Sequence, residues 1–584
     1  MWRDRLDERG GARALAITQR HGVPDLLARI VAGRGVEIDD VENFLDPTIK
    51  RLMPDPDRLI DMPAAATRIA DAVVGAESIA IFGDYDVDGA TASALLARFL
   101  RRCGIDAIIH IPDRLFEGYG PNSEAVRSLA GRGVKLLITV DCGTTSDEPL
   151  AEAARLGMDV VVIDHHLANE QLPPAVALVN PNRLDDLSGL GHLAAVGLVF
   201  MTIVAVNREL RRRNFWSEAR PEPDLLGSLD LVALGTMADV VALKGLNRAF
   251  VAKGLLAMRR REGVGLTALM DVARMTGPPE SWHLGFLLGP RINAGGRIGR
   301  ADLGARLLMA DDASEAMAIA MELDGLNRER QAIEQGMLAE AFAETTAALG
   351  VEGKSSVIVT AARNWHPGVA GLIAARLRER FGRPAFAIAF DGRGIGTGSG
   401  RSIPGVDIGS AVRRAVSEGV LMKGGGHTMA AGVTLAENAL GAFRAFLDEH
   451  LAAAVEQARR EDALLIDGAL VAAGATLDTF ATIARAGPFG AGNAEPIFAL
   501  PSHTVAFAEP VGEKHIRARL RGSDNAVIPA IAFRAAGQPL GEALLRSRGQ
   551  PIHAAGILKM DRWQGSERVQ FQLIDIADPS ASVL

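Results

Sequence analysis

Three carboxylates alternate at Asp84, Asp86 and Asp88, directly after the apolar run at residues 78–82 (SIAIF). An extended stretch with this spacing would point all three to one side, where they repel one another unless cations compensate them. Hard divalent ions with oxygen ligands are the natural compensators. A calcium-binding loop of the helix–loop–helix kind is excluded, because the place of its bidentate Glu, position 12 counted from Asp84, holds Leu95. Asp141 follows a second apolar run at 134–140, and Asp164-His165-His166 follows a third at 159–163. Mixed Asp and His donors suit Mn²⁺ better than Ca²⁺, with Mg²⁺ also admissible. One histidine can bind metal while its neighbour donates to substrate or moves a proton. Asp239 interrupts the apolar segment 231–241, where an unpaired carboxylate is costly and needs a partner.

Arginines supply the complement. Arg114, Arg291, Arg297 and Arg401 lie in stretches rich in Gly, Pro, Asn or Ser. These read as loops, where guanidinium groups grip phosphate bidentately. Gly424-Gly425-Gly426-His427 precedes Thr428-Met-Ala-Ala and reads as a helix start whose amides cradle an anion. Singly, each is a plain turn or a surface ion pair; beside the Asp and His set they describe a site for a phosphate ester. Two other motifs fail. Gly353-Lys354-Ser355 ends like a nucleotide-binding loop, but position 348 is Ala and a helical stretch precedes it. Gly394, Gly396, Gly398 and Gly400 alternate without matching G-x-G-x-x-G. Cys142 reads as a small buried residue, since no base and orienting group accompany it.

The elements that must position these residues follow from hydrophobic pattern. Continuous apolar strands bounded by helical stretches predict a parallel sheet covered on both faces, with ligands beyond the carboxyl ends of its strands. All three runs end at Asp. Residues from about 302 to 348 carry almost no Gly or Pro and predict long connecting helices. A second α/β unit opens at 356–360 and continues with a helix at 369–381 and a strand at 384–390. Beyond residue 463, short alternating strands predict a small β-barrel. There His515-Ile-Arg517-Ala-Arg519-Leu-Arg521 sets three arginines on one strand face. From Arg485 to Arg568, eleven Lys or Arg face seven Asp or Glu, a local +4, and Phe507, Phe533 and Trp563 are candidate stacking platforms for single strands.

The whole chain has 584 residues, room for several domains, with 63 basic and 71 acidic side chains and a net charge of −8. That balance argues against a uniformly basic nucleic-acid coat, so basic surface must be local. With 48% apolar and 23% charged residues, general disorder is excluded. Two cysteines rule out a disulfide framework and suit a reducing compartment. The first 20 residues lack a signal-peptide core, and the nearly apolar run 193–206 falls short of the roughly 20 residues a membrane span needs. A cytoplasmic protein is expected.

Seven motifs in one order resemble the DHH phosphoesterase superfamily, and within it the bacterial single-strand exonucleases. They are Asp84-Tyr-Asp-Val-Asp-Gly89, Thr139-Val-Asp-Cys-Gly143, Asp164-His-His166, Gly235-Thr-Met-Ala-Asp239, Gly289-Pro-Arg-Ile-Asn-Ala-Gly-Gly-Arg297, Gly398-Ser-Gly-Arg-Ser402 and Gly424-Gly-Gly-His427. The resemblance implies an α/β fold: a parallel-sheet DHH domain, a long helical connector, a second smaller α/β DHH-associated domain and a C-terminal OB-fold barrel. The implied limits are 1–75 for an N-terminal segment packing on the DHH domain, 76–300, 301–348, 349–460 and 463–584. It implies two divalent ions held by Asp86, Asp88, Asp141, His165 and Asp239, with Asp141 as bridge and Asp84 either a ligand or a neighbour that orients one. His166 and His427 would contact the scissile phosphate or its leaving oxygen. Arg114, Ser399 and Arg401, with Arg291 or Arg297 nearby, would hold a 5′-terminal phosphate, beside Gly425 and Gly426. Digestion of single-stranded DNA from 5′ to 3′ in recombination and repair is implied, by a monomer working beside a single-strand-binding protein and a RecQ-type helicase. The rivals are a DHH oligoribonuclease or cyclic-dinucleotide phosphodiesterase, and a non-catalytic replication scaffold. The first class usually lacks the barrel, and the second should have eroded carboxylates.

Overall fold

The computed structural model describes residues 1–113, 117–352, 355–563 and 566–579, so Arg114 and Gly353-Lys354 lie outside the described residues, as does the side chain of Trp563. After strand β1 (Trp2–Asp4), the first sheet is built from β2 (Ile79–Gly83), β3 (Ile108–His110), β4 (Leu136–Val140), β5 (Asp159–Ile163) and β6 (Ala177–Val179). Its order is β3-β2-β4-β5-β6, and every neighbouring pair is parallel. Successive residues of one strand enter two different cores: Ile79 and Ile81 join one, Ala80 and Phe82 the other. Burial on both faces is why these strands read as unbroken apolar runs. Residues 195–206 of the run at 193–206 lie in α2 (Ala195–Arg212), which follows α1 (Val87–Arg102) in the chain and packs on the same sheet. Among the described residues, no helix is long and apolar enough to cross a membrane.

Helix α3 (Leu229–Ala238) leads to Asp239, and α4 (Gly289–Ile298) follows a π-helical turn at His283–Leu288. The expectation of an Arg/Gly loop at 289–297 is therefore corrected: the segment is helical. Its glycines serve close packing, since a Cβ on Gly296 would stand 2.7 Å from the Tyr85 carbonyl oxygen. Helix α5 (Ala313–Glu352) then runs for 40 residues to the second α/β unit.

That unit holds β7 (Ile358–Ala362), α6 (Pro367–Phe381), β8 (Ala385–Phe390), β9 (Ile395–Arg401), α7 (Ile408–Ser417), β10 (Lys423–His427), β11 (Ala430–Ala436) and α8 (Leu440–Glu461). The sheet order is β10-β11-β9-β8-β7, with only β7 and β8 parallel. Two further corrections fall here. Arg401 ends a strand, and the Gly424–His427 motif is a strand joined to β11 by a tight turn, so no helix start cradles an anion there. The alternating glycines of β9 lie flush on β8, where Cβ atoms on Gly396, Gly398 and Gly400 would collide with Phe390, Ile388 and Phe386. Alternation places Ser399 and Arg401 on the opposite face.

The C-terminal unit begins with β12 (Leu464–Ile466) and β13 (Gly468–Ala469). Strands β14 (Phe498–Val511), β15 (His515–Arg521), β16 (Val527–Ala532), β17 (Pro551–Trp563) and β18 (Ser566–Ala577) run in the order β14-β15-β16-β18-β17, and β14–β17 pairing closes the barrel. The packing of residues 1–75 departs from expectation. Leu59, Met62 and Ile69 do pack on the parallel-sheet unit, but Ile17, Leu27 and Ile30 share a core with Phe498, Leu500 and Phe571 of the barrel. β1 pairs with β12, and the buried Asp467 carboxylate accepts from Arg5 Nε at 2.8 Å and Arg34 Nη1 at 2.7 Å. Residues from Ala14 to Val41 thus belong with the barrel, because their apolar helix faces find their cover there.

Candidate metal centre and phosphate-binding face

Four separated segments deliver the metal-binding candidates to one sheet edge. Asp84 is buried just beyond β2. Asp86 does not share an extended run with its neighbours, as the alternation suggested; it caps α1, with Oδ1 accepting from the N–H groups of Asp88 at 2.9 Å and Gly89 at 3.2 Å. Asp88, in the first turn, is 1% exposed, and its two oxygens accept from the Ala195 and Val196 amides at the start of α2, at 2.7 and 2.9 Å. A helix N-terminus thereby holds a carboxylate in place. Asp141, 2% exposed, takes a left-handed backbone (φ 62°) beyond β4.

His165 hydrogen-bonds to the Leu193 backbone, while its Nε2 lies 3.3 Å from Asp141 Oδ1 and 3.7 Å from Asp239 Oδ2. Asp239 caps the C-terminus of α3, the wrong helix end for an anion unless a cation is near. Three sets of donors lie within ligation reach of one another: Asp84, Asp86 and Asp141; Asp88, His165 and Asp239; Asp141, His165 and His166.

The electrostatics describe a centre short of positive charge. Burial, then the charges of Asp88, Asp86 and Asp84, lifts the Asp239 carboxyl to about 9. Burial, then Asp86, lifts Asp88 to about 7 against the pull of the Val196 and Ala195 amides. Burial and the neighbouring aspartates push Asp141 well above its ordinary range. Burial, then the charge of His166, depresses His165 to about 4, which favours the neutral imidazole that ligates metal. Asp239 Oδ2 is buried and accepts no hydrogen bond among the described residues. A divalent ion answers both the repulsion and the unsatisfied oxygen, so the donor set fits Mn²⁺ or Mg²⁺.

His166 is held differently. Asp164, 1% exposed, accepts from its ring nitrogen Nδ1 at 2.8 Å and from the Thr144 and His165 amides at 3.0 and 2.8 Å. Burial works against charge on His166, yet the Asp164 hydrogen bond and the surrounding carboxylates raise its pKa. Sequence reasoning missed two asparagines that support this loop, and Tyr119 supports it too. Asn180 Nδ2 donates to the His166 carbonyl and Asn182 Nδ2 to the His165 carbonyl, at 2.8 and 2.6 Å. Tyr119 donates its hydroxyl to the Asp141 carbonyl at 3.1 Å. The Asn-Pro-Asn run at 180–182, just past a sheet strand, was the available signal.

The phosphate candidates gather less tightly. Arg297, at the end of α4, donates to the Gly368 carbonyl at 2.9 Å, next to the start of α6. A Cβ on Gly371 of α6 would lie 3.1 Å from Arg401 Nη2 and 3.5 Å from Ser399. Arg297, Ser399 and Arg401 therefore meet around the first turns of α6, while the Gly296 contact ties α4 to Tyr85 in the metal-binding loop. Arg291 is engaged elsewhere, by Asp324 at 3.0 Å and the Leu287 carbonyl at 2.6 Å. Gly425 and Gly426 line β10, and His427 is exposed at its end. In the barrel, Arg517, Arg519 and Arg521 are exposed along β15, with Arg517 paired to Glu509; Phe507 and Phe533 are exposed too.

A parallel sheet edge carrying Asp and His donors, with Arg297 beside it and Ser399 and Arg401 from a second α/β unit, defines a DHH phosphoesterase. The DHH family N-terminal domain matches residues 78–236, the DHHA1 domain 354–453 and the RecJ OB domain 466–575. The single-stranded-DNA-specific exonuclease RecJ of Escherichia coli is 34% identical, over 95% of this chain and 96% of its own length. A crystal structure of Thermus thermophilus RecJ with Mn²⁺ superposes with a TM-score of 0.78 at 30% identity, covering 98% of this chain and 78% of that one. The same protein with Mg²⁺ gives 0.73 at 28% identity, covering 98% and 77%. The chain belongs to the RecJ family of single-stranded-DNA-specific exonucleases.

Proposed function

We propose that this chain digests single-stranded DNA from its 5′ end to mononucleotides, by hydrolysis dependent on two divalent ions, in recombination and repair. The observation that carries the reading is the convergence of Asp and His donors from four chain segments near Arg297 and, from another domain, Ser399 and Arg401. Two donor sets, Asp84 with Asp86 and Asp141, and Asp88 with His165 and Asp239, share no member, which supports two ions. Asp141 joins the first of these sets to His165 in the third, which supports its role as bridge, and the place of Asp84 in the first set supports counting it as a ligand. When bound, the ions supply Lewis acidity at the phosphate and a water acidic enough to attack near neutral pH. We favour Mn²⁺ over Mg²⁺ because imidazole is among the donors.

The chain's own residues do the rest. His166, whose charged form the Asp164 hydrogen bond favours, donates a proton or hydrogen bond to an oxygen of the scissile phosphate. Arg297, Ser399 and Arg401 hold the 5′-terminal phosphate at the start of α6, with Arg114 assigned there by family resemblance. Arg291 fixes α4 through Asp324. His427, with Gly425 and Gly426, contacts the next phosphate from the exposed end of β10. Arg517, Arg519 and Arg521 hold the strand as it leaves. Family resemblance supports a cytoplasmic monomer beside a single-strand-binding protein and a RecQ-type helicase.

Single-stranded DNA labelled at either end, digested with Mn²⁺ and with Mg²⁺, tests the polarity and the metal together. Early release of a 5′-labelled mononucleotide, with the 3′ label retained on shortening products, is expected. Early release of the 3′ label overturns the polarity, and equal rates with the two metals overturn the preference.

A further inference from the structure

Arg248 is 1% exposed and is the largest fully buried side chain among the described residues. It sits in the first turn of helix Gly245–Arg259, where a cation is opposed by the helix dipole. Burial alone lowers its pKa to about 9. Its guanidinium is answered by carbonyl oxygens: Phe44 at 2.7 Å, Ala486 at 2.8 Å, Pro488 at 3.3 Å, and Gly487. It also lies 3.7 Å over the Phe44 ring. One buried cation thus joins the N-terminal segment, the catalytic unit and the loop that precedes the barrel. Such a charge is costly to bury, and its retention calls for a role.

The surroundings lead to the metal ligands. Asn247 Nδ2 donates to the His192 and Ala242 carbonyls at 2.6 and 3.1 Å. Leu243 N–H donates to the Ala491 carbonyl at 2.7 Å, and a Cβ on Gly490 would meet Leu243 at 2.8 Å. Asn493 Nδ2 donates to the Ala486 and Pro488 carbonyls, ordering the same oxygens that face Arg248. Leu193, beside His192, is the backbone partner of His165, and Ala195 holds Asp88. Asp239 lies three residues before Ala242.

We infer that Arg248 is a positioning residue for the metal centre, docking residues 486–493 against the two segments that set Asp88, His165 and Asp239. The inference rests on the metal assignment proposed above. The barrel region is then part of the support of the catalytic site as well as a hold on DNA.

Mn²⁺ titration of the metal-free full chain, followed by electron paramagnetic resonance well below the unfolding midpoint, tests this without reference to turnover. Arg248→Lys keeps the charge but loses the fork that reaches several carbonyls. It should weaken Mn²⁺ binding about 10-fold or more, in the range seen when groups behind metal ligands are removed. Saturating Mn²⁺ should restore most of the cleavage of a short oligonucleotide. Gly490→Val, which crowds Leu243 without touching the buried cation, should move Mn²⁺ affinity the same way, and it decides the matter if Arg248→Lys does not fold. Val412→Ala, in the core of the second α/β unit, should lower stability and leave Mn²⁺ affinity unchanged. Wild-type Mn²⁺ binding by both Arg248→Lys and Gly490→Val, or equal weakening by Val412→Ala, overturns the inference. Asp141→Ala runs in parallel: if it alone loses Mn²⁺, the metal site stands and the role of Arg248 falls; if it too binds normally, the metal assignment itself has failed.

Discussion

In the parallel-sheet unit, Asp88 and Asp141 are 1% and 2% exposed, and backbone amides or neighbouring rings orient the carboxylates of Asp86, Asp88 and Asp164. In the second α/β unit, His427 is exposed, and Ser399 and Arg401 ride on a strand whose glycines lie against Phe386, Ile388 and Phe390. The first region holds buried, close-set carboxylates in fixed hydrogen bonds, as a site for small cations of demanding geometry must. The second presents donors on an open face, as a polymer that advances one nucleotide at a time requires. On the proposed assignment, the ion donors are held in place by the fold, whereas the phosphate donors are left more open.

The largest effect should come from the buried half. Asp141→Ala removes a donor common to two sets and should reduce cleavage below about one-thousandth of wild type while largely sparing DNA binding. Steady-state digestion beside a binding assay checks both, and full activity would break the contrast between the halves. A smaller loss is expected in the open half. Arg401→Ala removes a charge-assisted phosphate contact and should lower kcat/KM on 5′-phosphorylated DNA about 10- to 100-fold. DNA with a 5′-hydroxyl should be affected little. An equal loss on both substrates would place Arg401 at the scissile phosphate instead.

The same division explains what the sequence made legible. Strands buried on both faces announce themselves as unbroken apolar runs, and their ends located Asp84, Asp141 and His165. The alternation of Asp84, Asp86 and Asp88 marked the right residues through the wrong geometry, since a helix begins at Val87 and Asp86 caps it. Glycine misled twice, at 289–297 and at 424–426, because composition does not separate a glycine needed for a turn from one needed for close packing in a helix or strand. The cover of Leu27 and Ile30 by Phe498 left no local trace, as those contacts span more than 450 positions of chain. Asn180 and Asn182 were missed for a related reason: they act through the carbonyls of other residues, and their types suit any turn.

The smallest effect belongs to the barrel, where the comparison can be sharpened rather than broken. Deleting residues 463–584 would strip the cover from Ile17, Leu27 and Ile30 and remove three of the four carbonyls around Arg248, so its consequences would mix folding with DNA binding. Replacing Arg517, Arg519 and Arg521 together by Gln leaves the buried alternate residues Ile516, Ala518 and Leu520 untouched. If the three guanidiniums neutralise strand phosphates, the slope of log affinity against log salt for long single strands should fall by about 2, at about 0.7 per contact. Arg517 must first give up Glu509, so it contributes least of the three. Cleavage of oligonucleotides too short to reach from α6 to the barrel should be unchanged at saturating Mn²⁺. Equal losses on short and long substrates would mean that this face supports the metal centre, as Arg248 is inferred to do, and does not guide the strand.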